Sequence, residues 1–191
     1  MLSEKAKELI KKSRIVSFQD WEQNYDSETL AIFQQADDES RYLTDEDIQI
    51  LQSKHPQLGE SLQKVVVLRD RVNEIINDAR GEVLASFPGI TEEGGGLYPP
   101  MRAEACWRDF WHFLRCITYG IAGQSANYTS KEGLGYMEQL YRELQVPLDA
   151  MVLGLKNLKT YSLKQFPATE TEKLNPYFDC LVIEMEKFSS K

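Results

Sequence analysis

Histidine is nearly missing from this sequence. His55 and His112 are the only two, and neither stands in an HExxH pair or beside a CxxC pair. Metal chemistry therefore lacks its commonest ligands. A haem-type globin also lacks a histidine on the long apolar stretch 57–85, where its iron ligand would be needed. The three cysteines, Cys106, Cys116 and Cys180, are odd in number and have no paired spacing, which argues against a disulfide framework. No basic block offsets a net charge of −8, so nucleic acid and anionic membrane surfaces are disfavoured as partners. No apolar run approaches the roughly 18 residues of a membrane span, and no charged-then-apolar leader opens the chain. The Gly-rich stretch 90–100 lacks the GxxxxGK[ST] pattern, which leaves phosphate binding unsupported. These absences describe a soluble, cytosolic chain with no metal, no nucleic-acid partner and no membrane insertion.

What is present is helical periodicity. A chain of 191 residues suits one domain, and a compact domain of this size buries roughly 70% of its unfolded surface without staples. Residues 2–13 form a short amphipathic pattern, with Leu2, Ala6, Leu9 and Ile10 on one side and lysines on the other. Ser17 is an N-cap candidate for a second helix over 19–36, with Trp21, Tyr25, Leu30 and Phe33 as its apolar face. Thr44 followed by Asp45, Glu46 and Asp47 opens a third helix with an acidic first turn. One long helix is expected over 57–85, where Gly81 marks a kink or a close approach. Helices at 131–144 and 147–159 follow, then a polar connection over 160–174. A last helix has Pro176 in its first turn. No strand and no internal repeat are evident. The expectation is an all-α chain of about eight or nine helices.

The centre of the chain is Met101 to Gly123. It follows the breakers Gly94-Gly95-Gly96 and Pro99-Pro100 and ends at Gly120 and Gly123. Trp107, Phe110, Leu114 and Ile117 recur at helical spacing, so one helix is expected over 102–121. Read from its surroundings alone, Cys106 is one more buried small side chain, as free cysteines commonly are. Arg108 and Asp109 read as a solvated pair.

This stretch resembles the phycobiliprotein family, the bilin-carrying subunits of the phycobilisome. Cys106-Trp107-Arg108-Asp109, then Leu114-Arg115 and Thr118-Tyr119, stand at the spacings of that family's Cys-x-Arg-Asp, Leu-Arg and Thr-Tyr. Around it, Arg41-Tyr42-Leu43-Thr44, the stretch Ala79 to Pro88, Tyr141-Arg142-Glu143-Leu144, Val146-Pro147, Lys156 to Lys159 and Tyr177-Phe178-Asp179 are similar to the family's other segments in order. The likeness covers roughly residues 18–188. It implies a globin-like helical domain over 37–191 and an N-terminal helical pair over 1–36 for subunit association. The partner would be a homologous subunit, or a second copy met through the N-terminal helices. It also implies a non-enzymatic, light-harvesting role, in the cytoplasm or at the cytoplasmic face of thylakoid membranes.

The cofactor implied is a bilin of the phycocyanobilin type, a linear tetrapyrrole with two propionates. By resemblance Cys106 carries it through a thioether, Arg108 meets a propionate and Asp109 meets the pyrrole nitrogens. Arg102, Cys106, Asp109 and Phe113 stand at i−4, i, i+3 and i+7, so they share one helix face. Arg102 then offers a propionate anchor and Phe113 an aromatic wall, while Tyr98 closes the pocket from the loop. Arg108 lies about 200° around the helix from Cys106. The chain departs from the family pattern where Ala105 precedes the cysteine and where Phe110, Trp111, His112 and Phe113 follow the aspartate. These large side chains and the extra N-terminal helix favour a second reading: a pigment-free or transiently pigmented member acting in assembly, bilin handling or stress regulation.

Overall fold

The computed structural model describes residues 2–189, so the outer ends of the expected segments, at 1 and 191, lie outside the described residues. Nine α-helices are present among them: α1 (Glu4–Lys12), α2 (Ser27–Asp38), α3 (Asp45–Lys54), α4 (Gly59–Asp70), α5 (Val72–Ser86), α6 (Pro100–Ala122), α7 (Lys131–Glu143), α8 (Leu148–Leu163) and α9 (Ala168–Ser189). The described residues contain no strand, only an isolated antiparallel bridge between Val16 and Thr129. The all-α, globin-like expectation holds.

Local chemistry sets most of the boundaries. The Thr44 hydroxyl accepts from the Asp47 amide and the Asp47 carboxylate accepts from the Thr44 amide, a complete capping box. Ser130 caps α7 by accepting from the Gly133 amide. Ser17 does not cap the second helix. That segment starts as a 3₁₀ turn at Gln19–Gln23, and the α-helix begins afresh where Asp26 accepts from the Thr29 amide.

Three boundaries differ because burial outweighs local signals. The helix expected over 57–85 breaks at Arg71. Its first half runs along α6 and its second along α8, so the turn keeps both apolar stripes buried. Gly81 is neither a kink nor a close approach, since a Cβ there would meet nothing within 4 Å. The polar connection shrinks to 164–167, because α8 and α9 pack on each other and both reach further than the polar residues of 160–174 suggest. Pro176 consequently lies inside α9, not in its first turn, and the Glu172 carbonyl loses its usual donor.

The N-terminal residues assigned to subunit association lie against the chain's own body. Trp21 is buried, and a Cβ on Gly123 would come within 2.3 Å of its ring. Its indole N–H donates to the Asn127 carbonyl. Helix α1 lies on α7, where Ala6, Leu9 and Leu140 form a small apolar cluster apart from the main core.

A buried ion cluster ties these parts together. Asp37 accepts from Arg14 and, at 2.9 Å, from Arg115. Arg115 also donates to the Tyr119 hydroxyl at 2.7 Å, and that hydroxyl donates to the Arg41 carbonyl. Asp37 and Arg115 are both buried, and their charges stay in the interior because they meet each other, with Arg14 on Asp37 and Tyr119 on Arg115 completing the cluster.

Candidate functional site

Helix α6 opens on Pro99 and Pro100, which cost no helix hydrogen bond at its first turn. Arg102 stands one turn in. Its guanidinium donates to the Gly96 carbonyl at 3.3 Å and the Gln145 carbonyl at 2.9 Å, joining the Gly-rich loop to the α7–α8 turn. Cys106 comes a turn later and is only 5% exposed. Asp109 follows, partly buried, and its carboxylate accepts from the Tyr141 hydroxyl of α7 at 2.8 Å.

Arg102 and Asp109 both lie within electrostatic range of the Cys106 thiol. Burial pushes the Cys106 thiol up to about 12; the Asp109 charge adds to the shift and Arg102 opposes it. Burial raises Asp109 to about 6, against the Tyr141 hydrogen bond and the Arg108 charge. Arg108 is exposed, so from the far side of the wheel it reaches Asp109 through its field. Burial, and then Asp109, push the Tyr141 phenol well above its ordinary range.

The other expected residues serve differently. Phe113 is fully buried, 6.5 Å from the Phe110 ring, and belongs to the core. Tyr98 is 44% exposed, and among the described residues its ring has no hydrogen-bond or ring partner. Arg102 is already engaged with two carbonyls.

The bulky neighbours are held elsewhere. Trp107 lies under Arg80 of α5, with the guanidinium carbon 5.4 Å from the ring centre. Phe110 sits on Gly154 of α8, where a Cβ would come within 1.9 Å of its ring. Trp111 meets Tyr42 edge to face at 4.9 Å, and the Tyr42 hydroxyl donates to the Trp111 carbonyl. Each of the three rings is thus held by a partner outside α7. Two surface cavities, of about 330 and 270 Å³, are lined by no residue of 102–113.

Tyr141 is the residue that periodicity misses. It stands 32 positions from Asp109, and no local pattern joins them. The Phe188 ring, packed against Tyr141 at 6.3 Å, was equally hidden. Arg115 did carry a signal, as the single charge in the apolar run 113–122.

The family model described as phycobilisome protein matches residues 31–185. An allophycocyanin alpha-B chain of Cyanidium caldarium is 32% identical over 152 residues, 79% of this chain and 93% of that one. An allophycocyanin subunit alpha-B of Nostoc sp. is 30% identical over 152 residues, 79% and 94% of the two chains. An allophycocyanin alpha-B chain of Porphyra purpurea is 28% identical over 147 residues, 77% and 91%. The helical fold, the Cys-x-Arg-Asp face and a match across most of the chain lead to one conclusion: this chain belongs to the phycobilisome protein family.

Proposed function

We propose that this chain is a light-harvesting subunit that holds a linear tetrapyrrole covalently through Cys106 and passes on excitation energy. The observation that carries the reading is the placement of Cys106 one turn from Asp109, whose carboxylate accepts from the Tyr141 hydroxyl of α7. When bound, the pigment supplies the visible absorption and the excited state.

The donor set suits such a group. Asp109 is ionised at neutral pH and offers a carboxylate to pyrrole N–H groups. Arg108, exposed beside it, is a free-standing cation for a propionate. Tyr141 orients the carboxylate by donating to one of its oxygens. The Cys106 thiol is protonated and covered, so attachment requires that it be uncovered and ionised first. Arg102 acts as a tie between loops and does not serve as a propionate anchor.

No bond of a substrate is broken in this work, and the chain is not an enzyme. A homologous subunit or a second copy docks on the outer side of the N-terminal helices, where Leu2 and Ile10 are each 46% exposed. No described helix is long and apolar enough to cross a membrane, and the proposed setting is the cytoplasm or the cytoplasmic thylakoid face.

Coexpression with a bilin source, followed by zinc-enhanced fluorescence on a denaturing gel, tests the attachment. Signal lost in Cys106→Ser and kept in Cys116→Ser is expected. A wild type without signal sinks the reading and leaves the pigment-free assembly or regulatory role. The extra helix α1, which lies outside the family match, favours that role.

A further inference from the structure

The Asp109 carboxylate receives its hydrogen bond from another helix. The donor is the Tyr141 hydroxyl of α7, at 2.8 Å. The backbone that carries Tyr141 is fixed. The Val146 amide donates to the Tyr141 carbonyl at 2.9 Å, and the neighbouring Gln145 carbonyl is held by Arg102. What is left to determine is the direction of the ring, which turns about two side-chain torsions. A tilt of the ring moves the hydroxyl, and such a bond weakens steeply outside a narrow range of distance and angle.

A second ring limits that tilt. Phe188 of α9 packs on the Tyr141 ring edge to face, with centres 6.3 Å apart and planes at 89°. Phe188 is itself placed by its helix. Leu181, Met185 and Phe188 stand at i, i+4 and i+7 on one face of α9, and all three are buried. Beside that turn Lys156 of α8 pairs with Glu186 at 2.6 Å. The family match ends at residue 185, so Phe188 lies outside the part of the chain that carries it. The groups that act on Asp109 are the Tyr141 hydroxyl from α7 and the Arg108 charge on α6, with the Cys106 thiol one turn before it. Phe188 is apolar and reaches Asp109 only through Tyr141.

We propose that Phe188 is a positioning residue: by packing on the Tyr141 ring it aims the hydroxyl at the Asp109 carboxylate, and the last turn of α9 thereby sets how that carboxylate is presented beside Cys106. This deepens the pigment reading and rests on it for its purpose, a carboxylate held ready for pyrrole N–H groups. The positioning itself is read without pigment.

NMR titration of the Asp109 carboxyl in the pigment-free full chain tests it. Phe188→Ala removes the ring and leaves space into which Tyr141 turns. With its hydrogen bond loosened, Asp109 is expected to rise above its value of about 6, in the same direction as in Tyr141→Phe. The double variant, Phe188→Ala with Tyr141→Phe, is expected to rise no further than Tyr141→Phe alone. Phe188→Leu keeps most of the apolar volume and should give a smaller rise. His112 on the same helix, at about 4, is expected to stay there. An unmoved Asp109 overturns the proposal. A double variant whose shift is the sum of the two single shifts overturns it as well. A parallel change at His112 also does so, since that reports general loosening. Should Phe188→Ala lose its helical circular dichroism, Phe188→Leu decides alone. If Asp109 moves as expected and no pigment attaches on coexpression, the positioning stands and the pigment reading fails. If pigment attaches and Asp109 does not move, the pigment reading stands and the positioning fails.

Discussion

The Tyr141 hydroxyl donates to the Asp109 carboxylate at 2.8 Å, and this single bond joins α7 to the face that carries Cys106. The bond stabilises the charged carboxylate in a buried setting, so Tyr141→Phe should raise Asp109 further above its value of about 6. Titration of the Asp109 carboxyl by NMR in both proteins measures the shift. A fall or no change contradicts the assignment. The accompanying stability loss should be about 1–2 kcal/mol.

Two groups on α6 give opposite pH dependences. Asp109 is raised from 3.8 to about 6, so its contribution to stability is full below pH 3.8 and lost as pH rises through 6. His112 is lowered from 6.5 to about 4 by burial and then by Arg115 and Arg108. Its contribution is full above pH 6.5 and lost as pH falls through 4. Urea melts between pH 4 and 7 should therefore show Asp109→Asn gaining relative to wild type as pH rises. His112→Gln should gain as pH falls. If both variants shift in the same direction, the placement of one group is wrong.

The contact of Phe110 with Gly154 leaves no space for a methyl group. Gly154→Ala should destabilise by about 1–3 kcal/mol through overpacking, despite the better helix propensity of alanine. Gly81→Ala, where a Cβ meets nothing within 4 Å, should stabilise by up to about 1 kcal/mol. The opposite signs of two glycine-to-alanine changes in one melting experiment make the comparison self-controlled.

Asp37 with Arg115 is a buried pair that tolerates the loss of neither member. Asp37→Asn should cost about 3–5 kcal/mol, because it leaves the buried Arg115 charge uncompensated, and Arg115→Gln should cost less, because Asp37 keeps its bonds from Arg14. The double variant should cost less than the sum of the two, and chemical denaturation of all four proteins closes the cycle. Strict additivity would mean that the charges do not interact.

The class of the fold was legible because α6, α3 and α7 announce themselves through breakers, a capping box and a serine cap, all of them local chemistry. The face of Arg102, Cys106, Asp109 and Phe113 was read from helix spacing; in the structure Arg102 and Asp109 lie within electrostatic range of Cys106, while Phe113 belongs to the core. What local pattern could not convey is how helices distant in sequence lie against one another. The break at Arg71, Pro176 within α9, and the seating of α1 on α7 all depend on which neighbour buries an apolar stripe. The bond from Tyr141 to Asp109 was invisible for the same reason, since the two stand on different helices.

Arg102 bonded to Gly96 and Gln145 has a consequence for how the molecule deforms. It binds the glycine-rich loop, the first turn of α6 and the turn before α8 into a closed collar. Motion of one of the three parts alone has to stretch or break one of Arg102's two hydrogen bonds, at 3.3 and 2.9 Å, so the run of glycines is tied down at Gly96.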